Sequence, residues 1–170
     1  VDVATGYGGV KLLVFTRIAD GNEGSSLVVT QGASAAWGAV ALVITGHNGT
    51  SSIDVAPATK TEVAGSNSSM PSPSVQTNSN ILLVLSIASI RDAASISSPS
   101  GYTDVAEAGP AANWDKPRIQ VSSKSQETAG QVPEASFVSS GGDRDWVTAT
   151  IVVSPSSTLS RLQENLAALI

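Results

Sequence analysis

Alternating apolar and polar residues at the start of the chain predict β-strands rather than helices. In residues 10–18 (VKLLVFTRI), Val10, Leu12 and Val14 fall on one face and Lys11 and Arg17 on the other, which is the period of a half-buried strand. The glycine-containing turn 19–26, a return strand 27–31, the small-residue turn 32–36 and an apolar strand 37–45 follow. We therefore expect an antiparallel meander over the first 46 residues.

The same pattern returns 109 residues later without a gap. The matches include turn glycines, core positions and a Trp that opens an apolar strand. They are Val10/Ile119, Leu12/Val121, Gly21/Gly130, Val28/Phe137, Thr30/Ser139, Gly32/Gly141, Trp37/Trp146, Leu42/Ile151 and Ile44/Val153. Upstream, residues 2–4 (DVA) match residues 104–106 (DVA) if the second stretch carries the longer loop 109–117. We call residues 10–46 the first repeat and residues 119–155 the second repeat, and we expect two related β-layers.

The longest apolar run lies between the repeats. Residues 81–90 (ILLVLSIASI) are apolar on both faces, which predicts a central strand that is covered from two sides. Residues 47–80 before it are rich in Ser, Thr, Asn, Pro and Gly and indicate a surface crossover with short edge strands, extended at 70–74. A turn at 98–101 and a strand at 102–107 follow.

The first repeat has no counterpart of this central strand in front of it. Two hypotheses account for the difference: the strand lies in a segment upstream of Val1, or a neighbouring subunit supplies a strand by edge augmentation.

The end of the chain changes character after Pro155. Ser156, Ser157 or Thr158 is suited to an N-cap, and Leu159, Leu162, Leu166 and Leu169 recur at spacings of three and four. This pattern predicts a short helix with one apolar stripe. Two uses of the stripe remain open: packing on its own domain, or docking on a partner, since so short a helix is marginal alone.

These elements predict an all-β fold, an antiparallel β-sandwich of jelly-roll or Ig-like type with about ten strands from two related halves. We expect one sandwich domain over residues 1–155, with a first half 1–46, a crossover 47–80 and a second half 81–155. Residues 156–170 form an amphipathic C-terminal tail in this prediction.

Composition narrows the function classes. Aromatic residues make up 4% and charged residues 14%, the usage of a turn-rich β-protein rather than of a helical bundle. A net charge of −5 without clustered Lys or Arg argues against nucleic acid as a partner. The chain contains no Cys, and no apolar run approaches the roughly 20 residues of a membrane helix. We therefore expect a soluble chain that has no membrane partner and folds without disulfides.

No candidate chemistry stands out. His47, the only histidine, lies in a Gly-rich turn and is expected to be an exposed loop residue. The segment Asp143-Arg144-Asp145 lacks the spaced oxygen ligands of a calcium loop. Asp104, Glu107, Glu127 and Glu134 give no pair that can be assigned glycosidase separation. We predict no catalytic, cofactor-binding or metal-binding residues, and no enzymatic activity.

The three tryptophans differ in context. Trp37 and Trp146 open equivalent strands, so we expect both to pack structurally at the end of the fold. Trp114 lies in the inserted loop 109–117 beside Asn113 and Asp115, which is typical of sugar-binding loops and protein interfaces, although it is also suited to covering a local apolar patch. Trp114 and the four tail leucines are the candidate interaction residues.

Residues 81–155 resemble a β-sandwich module of bacteriophage virion and prophage structural proteins, and residues 1–46 resemble it more loosely. The similar features are an apolar strand after a Ser/Thr-rich segment, Pro-Ser-Gly-Tyr-Thr at 99–103, strand 118–125, Ala129-Gly130, strand 135–139 and a Trp-led last strand. The resemblance implies a non-enzymatic particle component, such as a head decoration, head fibre or tail protein, in a homo-oligomer with other virion proteins. A carbohydrate-binding or adhesin module, with a surface glycan as partner, is the alternative.

Overall fold

A computed structural model describes residues 3–7, 10–22, 24, 26, 28–30, 36–47, 53–62, 68–91, 93, 95–109, 116–140, 145–154 and 156. Within these residues the chain forms strands and no helix. The strands are β1 (Val3–Tyr7), β2 (Val10–Val14), β3 (Ala58–Glu62), β4 (Ser69–Ser72), β5 (Val75–Gln76), β6 (Leu82–Arg91), β7 (Ser95–Ser97), β8 (Thr103–Ala108), β9 (Pro117–Gln126), β10 (Gln131–Val132), β11 (Ala135–Ser140) and β12 (Trp146–Val153). All pairings are antiparallel, so the all-β antiparallel prediction is confirmed.

A five-stranded sheet in the order β3-β12-β6-β9-β8 forms the centre of the molecule. Strand β6 is the middle strand, and β12, its neighbour, is buried along its whole length. The central strand predicted at residues 81–90 is therefore confirmed, and the expected edge strands of the 47–80 crossover appear as β3 and β4. We call this sheet the central sheet.

One face of the central sheet packs on a second set of strands. These are the three-stranded sheet β4-β11-β7 and the two-stranded sheet β5-β10. Met70 and Phe137 of the facing strands are buried with Ile90 and Trp146 of the central sheet, and Val75 and Val132 extend this core past Val84 and Val152. Because successive strand residues point to opposite faces, the even-numbered residues of β6 and β12 supply this side.

Two buried threonines join the two sets of strands by hydrogen bonds. The Thr148 hydroxyl donates to the carbonyl oxygen of Pro71 at 2.7 Å, and the Thr150 hydroxyl donates to that of Pro73 at the same distance. A buried hydroxyl needs a partner, so these bonds make the two threonines compatible with an otherwise apolar strand.

The opposite face of the central sheet is covered by the first part of the chain. The β1–β2 hairpin lies against β3, β6 and β12, and Val40 and Ile44 pack against the same core. This core contains residues from both repeats. It consists of Val10, Leu12, Leu85, Ile87, Val121, Val147, Ala149, Ile151 and Val153, with Val14, Val40, Ile44, Ile53, Leu83 and Ile119 packed around them.

The β1–β2 hairpin and the β8–β9 hairpin are related as the repeat predicts, with a shift in register. Thr5 stands opposite Leu12 and Ala106 opposite Val121, so the structural counterpart of Ala106 is Thr5 rather than Ala4. The offset arises at the loop end of the hairpins, where Ala108 faces Ile119 as Tyr7 faces Val10, and a bulge between Asp104 and Ala106 then displaces the match by one further residue. The DVA match between residues 2–4 and 104–106 is therefore displaced.

Two strands predicted in the first repeat are wrong. Residues 28–30 and 37–45 form no ladder with another strand, although the strands predicted at 27–31 and 37–45 included them. Their counterparts β11 and β12 each lie between two other strands, which bind both backbone edges. An apolar alternation therefore specifies a strand only where partner strands are present. The C-terminal helix predicted within 156–170 lies almost wholly outside the described residues, since only Ser156 of that tail is described.

Candidate functional site

The segment 36–45 lies across the central sheet with a period of two. Gly38, Val40 and Ile44 are half-buried, and the residues between them are exposed. A β-carbon at Gly38 would stand 3.7 Å from the carbonyl oxygen of Pro117 and 3.8 Å from that of Ala108, so the segment passes close over the β8–β9 hairpin. The alternation places Trp37 and Val43 on the side that faces away from the central sheet.

The first part of the chain exposes several large apolar side chains, among them four on or just after β2 and in segment 36–45. Leu13 follows the buried Leu12 on β2, and Phe15 is two residues further on; Trp37 and Val43 belong to segment 36–45. Trp37 is 55% exposed and Val43 94% exposed. We call Leu13, Phe15, Trp37 and Val43 the outer apolar surface. Sequence reasoning missed this surface because the strand pattern predicted that Trp37 would be packed.

The outer apolar surface adjoins a long stretch without charge. Residues 24–46 contain no Asp, Glu, Lys or Arg. Val28 and Val29 in this stretch are also exposed. Charged residues are depleted in the centres of protein interfaces and abundant on ordinary surfaces. An uncharged surface that carries exposed aromatic and aliphatic side chains therefore has the composition of an interface.

The edges of the central sheet have the opposite character. Edge strand β8 carries Asp104, Glu107 and the bulge, and edge strand β3 carries Lys60. Charges and bulges on an edge strand oppose pairing with a further strand. The chemistry of the described residues therefore favours contact through the outer apolar surface over contact through these edges.

A polar cluster spans the start of β8 and the middle of β9. Ser98 hydrogen-bonds to Asp104 and to Ser122, and the side-chain amide of Gln120 donates to Asp104 at 3.4 Å. Gln120 and Ser122 are buried. Since these groups bond one another, the cluster has the bonding of a structural network that stabilises the β8–β9 hairpin.

His47 is half-buried, so the expectation of an exposed loop residue is wrong. It lines a cleft of about 190 Å³ together with Glu127 and Ser154. Ile81, which also lines the cleft, has a φ of 58°, a strained conformation for a β-branched residue. The rest of the lining is largely aliphatic, from Leu82, Leu83 and Val153 among others, and supplies few groups to stabilise developing charge.

Three of the carboxylates considered from the sequence pair with basic side chains. Glu107 pairs with Arg118, Glu134 with Lys60 at 3.0 Å, and Asp145 with Arg91 at 3.8 Å. Asp143 and Arg144 lie outside the described residues, and Asp145 pairs across to Arg91 of β6. No group of three or more His, Asp or Glu is placed to hold a metal ion in the part of the chain that the structure describes.

The predicted interaction residues all lie outside the described residues: Trp114, Leu159, Leu162, Leu166 and Leu169. The tail begins beside the first repeat, because the backbone N–H of Ser156 donates to the carbonyl oxygen of Gly46 at 2.7 Å. Among the described residues there is no helix with the length and apolarity of a membrane span.

Comparison with protein-family models, with curated proteins and with solved structures gives no match for this chain.

Proposed function

We propose that this chain is a non-enzymatic structural component of a bacteriophage particle, a head decoration, head fibre or tail protein that binds neighbouring particle subunits. The observation that carries the proposal is the outer apolar surface beside the uncharged stretch 24–46, since exposed aromatic and aliphatic side chains there have the composition of a protein interface. The resemblance of residues 81–155 to virion modules motivates the same assignment.

The fold that we propose is a β-sandwich with the connectivity of a jelly roll, preceded by the β1–β2 hairpin. In a jelly roll the first strand lies beside the eighth, the eighth beside the third and the third beside the sixth. The order β3-β12-β6-β9 supports this if β3 is the first strand and β4 with β5 the second. The order β4-β11-β7 fits the facing sheet of a jelly roll. Strand β8 is the fifth strand in this count along the chain, but it pairs with β9 instead of joining the facing sheet. Jelly rolls are common in viral capsid proteins.

The location of the chain on particles tests this function. Particles purified from a lysate of the cells that encode the chain are examined by mass spectrometry and by immunogold electron microscopy with an antibody raised against the recombinant protein. We expect the chain in the particle fraction and gold on the particle surface. A chain that is abundant in the cells and absent from purified particles contradicts the proposal.

A glycan-binding or adhesin role is the second candidate. The jelly-roll connectivity supports it as well, because lectins also use this fold, and the exposed Trp37 offers an aromatic face for a sugar ring. This role predicts binding to a glycan array that Trp37→Ala or Trp114→Ala abolishes. No binding to the array by the intact protein contradicts it.

A further inference from the structure

We propose that the cleft beside His47 binds the chain's own C-terminal tail, residues 157–170, through the side chains of Leu159 and Leu162. The inference goes beyond the proposed function and does not rest on it. The sequence leaves two uses of the leucine stripe open, packing on its own domain and docking on a partner. The inference assigns the first use and names the surface that receives the stripe.

The cleft lies at one end of the central sheet, on the face that the first part of the chain covers. Val153 of β12 stands opposite Leu83 of β6, and Leu83 stands opposite Ser125 of β9, so the cleft spans three neighbouring strands. Leu85 and Ile87 follow Leu83 on the same face of β6 and are buried in one core with the β1–β2 hairpin. Leu83 is only half-buried, so the cover of this face ends at the cleft.

The walls and the size of the cleft suit leucine side chains. Ile44, Ile81 and Leu83 line it as half-buried aliphatic residues, and burying their remaining apolar surface is favourable. The cleft has a volume of about 190 Å³. A cavity of about 150 Å³ with apolar walls holds a benzene molecule, so this cleft has room for about one or two leucine side chains. A segment that carries two leucines three residues apart therefore matches it.

The path of the chain places the tail at the cleft. The backbone N–H of Ser156, the last described residue, donates to the carbonyl oxygen of Gly46 at 2.7 Å, and Gly46 and Ser154 both line the cleft. Leu159 and Leu162 follow Ser156 closely, and since a chain spans at most about 3.5 Å per residue, they lie within about 10 and 20 Å of it. So short a tether gives an effective concentration of roughly 1 mM or more, which lets a modest contact be occupied.

Charge at the rim also favours the tail as the occupant. The exposed Glu127 lines the cleft. Arg161 lies between the two leucines and is the only Lys or Arg in residues 157–170. Opposite charges on an exposed rim are screened by water, so they orient the tail more than they strengthen its binding.

The test measures how well the tail protects a thiol in the cleft. The chain contains no Cys, so Ser125→Cys in the full chain introduces a single thiol at an exposed position of the cleft. Its alkylation by N-ethylmaleimide is followed by mass spectrometry, with and without Leu159→Ser/Leu162→Ser. A bound tail must open before the reagent enters, so we expect the thiol to react at least about 10-fold faster once the two leucines are replaced. Circular dichroism establishes that both proteins are folded.

Two matched controls make the result specific. Leu166→Ser/Leu169→Ser removes as much apolar surface from the same tail, beyond the two leucines that fill the cleft, and should leave the thiol protected. A thiol at the exposed Ser136 on β11, in the facing sheet, should react at one rate whichever leucines are present.

The inference is overturned if the Ser125→Cys thiol reacts equally fast with and without Leu159 and Leu162, or if replacing the two later leucines accelerates it as much. It is also overturned if protection strengthens between two protein concentrations roughly a hundredfold apart, because the tail of a second molecule then covers the cleft. Protection that is independent of concentration and needs only the first two leucines supports it.

Discussion

The two repeats carry nearly the same apolar pattern, but the structure buries the Trp-led segment of the second repeat and exposes that of the first. Trp146 is 2% exposed and Val152 is fully buried, whereas their counterparts Trp37 and Val43 are 55% and 94% exposed. The turn glycines agree in both repeats, since Gly21 and Gly130 both adopt positive φ. The difference therefore begins after the turn, where the second repeat continues into strands that have partners.

The cause of the difference is the set of neighbouring strands. Strand β12 lies between β3 and β6, and its even-numbered side chains are covered by β4 and β11. Segment 36–45 has a core on one side only, through Val40 and Ile44. The same alternation of side chains thus gives a buried strand where a sheet surrounds it and an exposed extended segment where it does not. This comparison leads to four predictions on stability.

The largest difference in stability is expected between alanine variants of the two tryptophans. Trp146→Ala removes a large side chain from a closed core and is expected to lower the free energy of unfolding by about 3–5 kcal/mol. Trp37→Ala removes a half-exposed side chain and should cost less than about 1 kcal/mol in the monomer. Urea unfolding of both variants at low protein concentration measures the difference. Equal losses would mean that Trp37 is packed as Trp146 is.

The β8–β9 hairpin should depend on Gly109. A β-carbon at this position would lie 2.6 Å from the carbonyl oxygen of Pro117 and 2.9 Å from the Cα atom of Arg118, and its φ of 120° disfavours other residues. We expect Gly109→Ala to cost about 2–3 kcal/mol in thermal unfolding. Gly21→Ala is the matched control from the first repeat: it meets open space and should cost only about 1 kcal/mol for its positive φ. Similar losses at the two positions would contradict the close approach at Gly109.

The hydroxyl groups of Thr148 and Thr150 on β12 should stabilise the fold, whereas hydroxyl groups at the matching positions of the first repeat should not. Thr148 and Thr150 bond to carbonyl groups of the facing strands, whereas their counterparts in the first repeat are Ala39 and Ala41. Thr148→Val and Thr150→Val preserve volume and are each expected to cost about 1 kcal/mol. Ala39→Thr and Ala41→Thr, at exposed positions, should change stability by less than about 0.5 kcal/mol. If both Thr→Val variants unfold with the free energy of the wild-type protein, these two hydrogen bonds do not contribute to stability.

The smallest effect is expected at the exposed ion pair between Lys60 and Glu134, whose charged atoms are 3.0 Å apart. Both side chains are about half exposed, so water and salt screen the attraction. A double-mutant cycle with Lys60→Ala and Glu134→Ala should give a coupling of less than about 1 kcal/mol that decreases at high salt. A large coupling that persists at high salt would mean that the pair is shielded from solvent.

The sequence predicted the second half of the molecule better than the first. The central strand at Leu82–Arg91, the turn before Tyr102 and strands β8, β9, β11 and β12 follow from alternation and turn residues, because each of these segments has its partners within the chain. The prediction of strand 37–45 used the same reasoning and was wrong, since alternation cannot reveal whether a neighbouring strand is present.

The candidate surface was not predictable for the same reason. Its residues, Trp37 and Val43 above all, look like core residues in the sequence, and the matching Trp146 strengthened that interpretation. The uncharged stretch 24–46 was the available signal, although a buried strand would also lack charges. Side-chain networks such as that of Ser98 and Gln120 depend on register, which the sequence leaves open.

Hydrogen exchange, followed by mass spectrometry on the monomeric protein at low concentration, tests the central claim most directly. The claim is that one apolar pattern is a paired strand in the second repeat and an unpaired segment in the first. We predict that the amides of residues 147–152 exchange at least about a thousand times more slowly than those of residues 38–44, because only the former are bonded within a sheet. Equally slow exchange in the two segments would contradict the account.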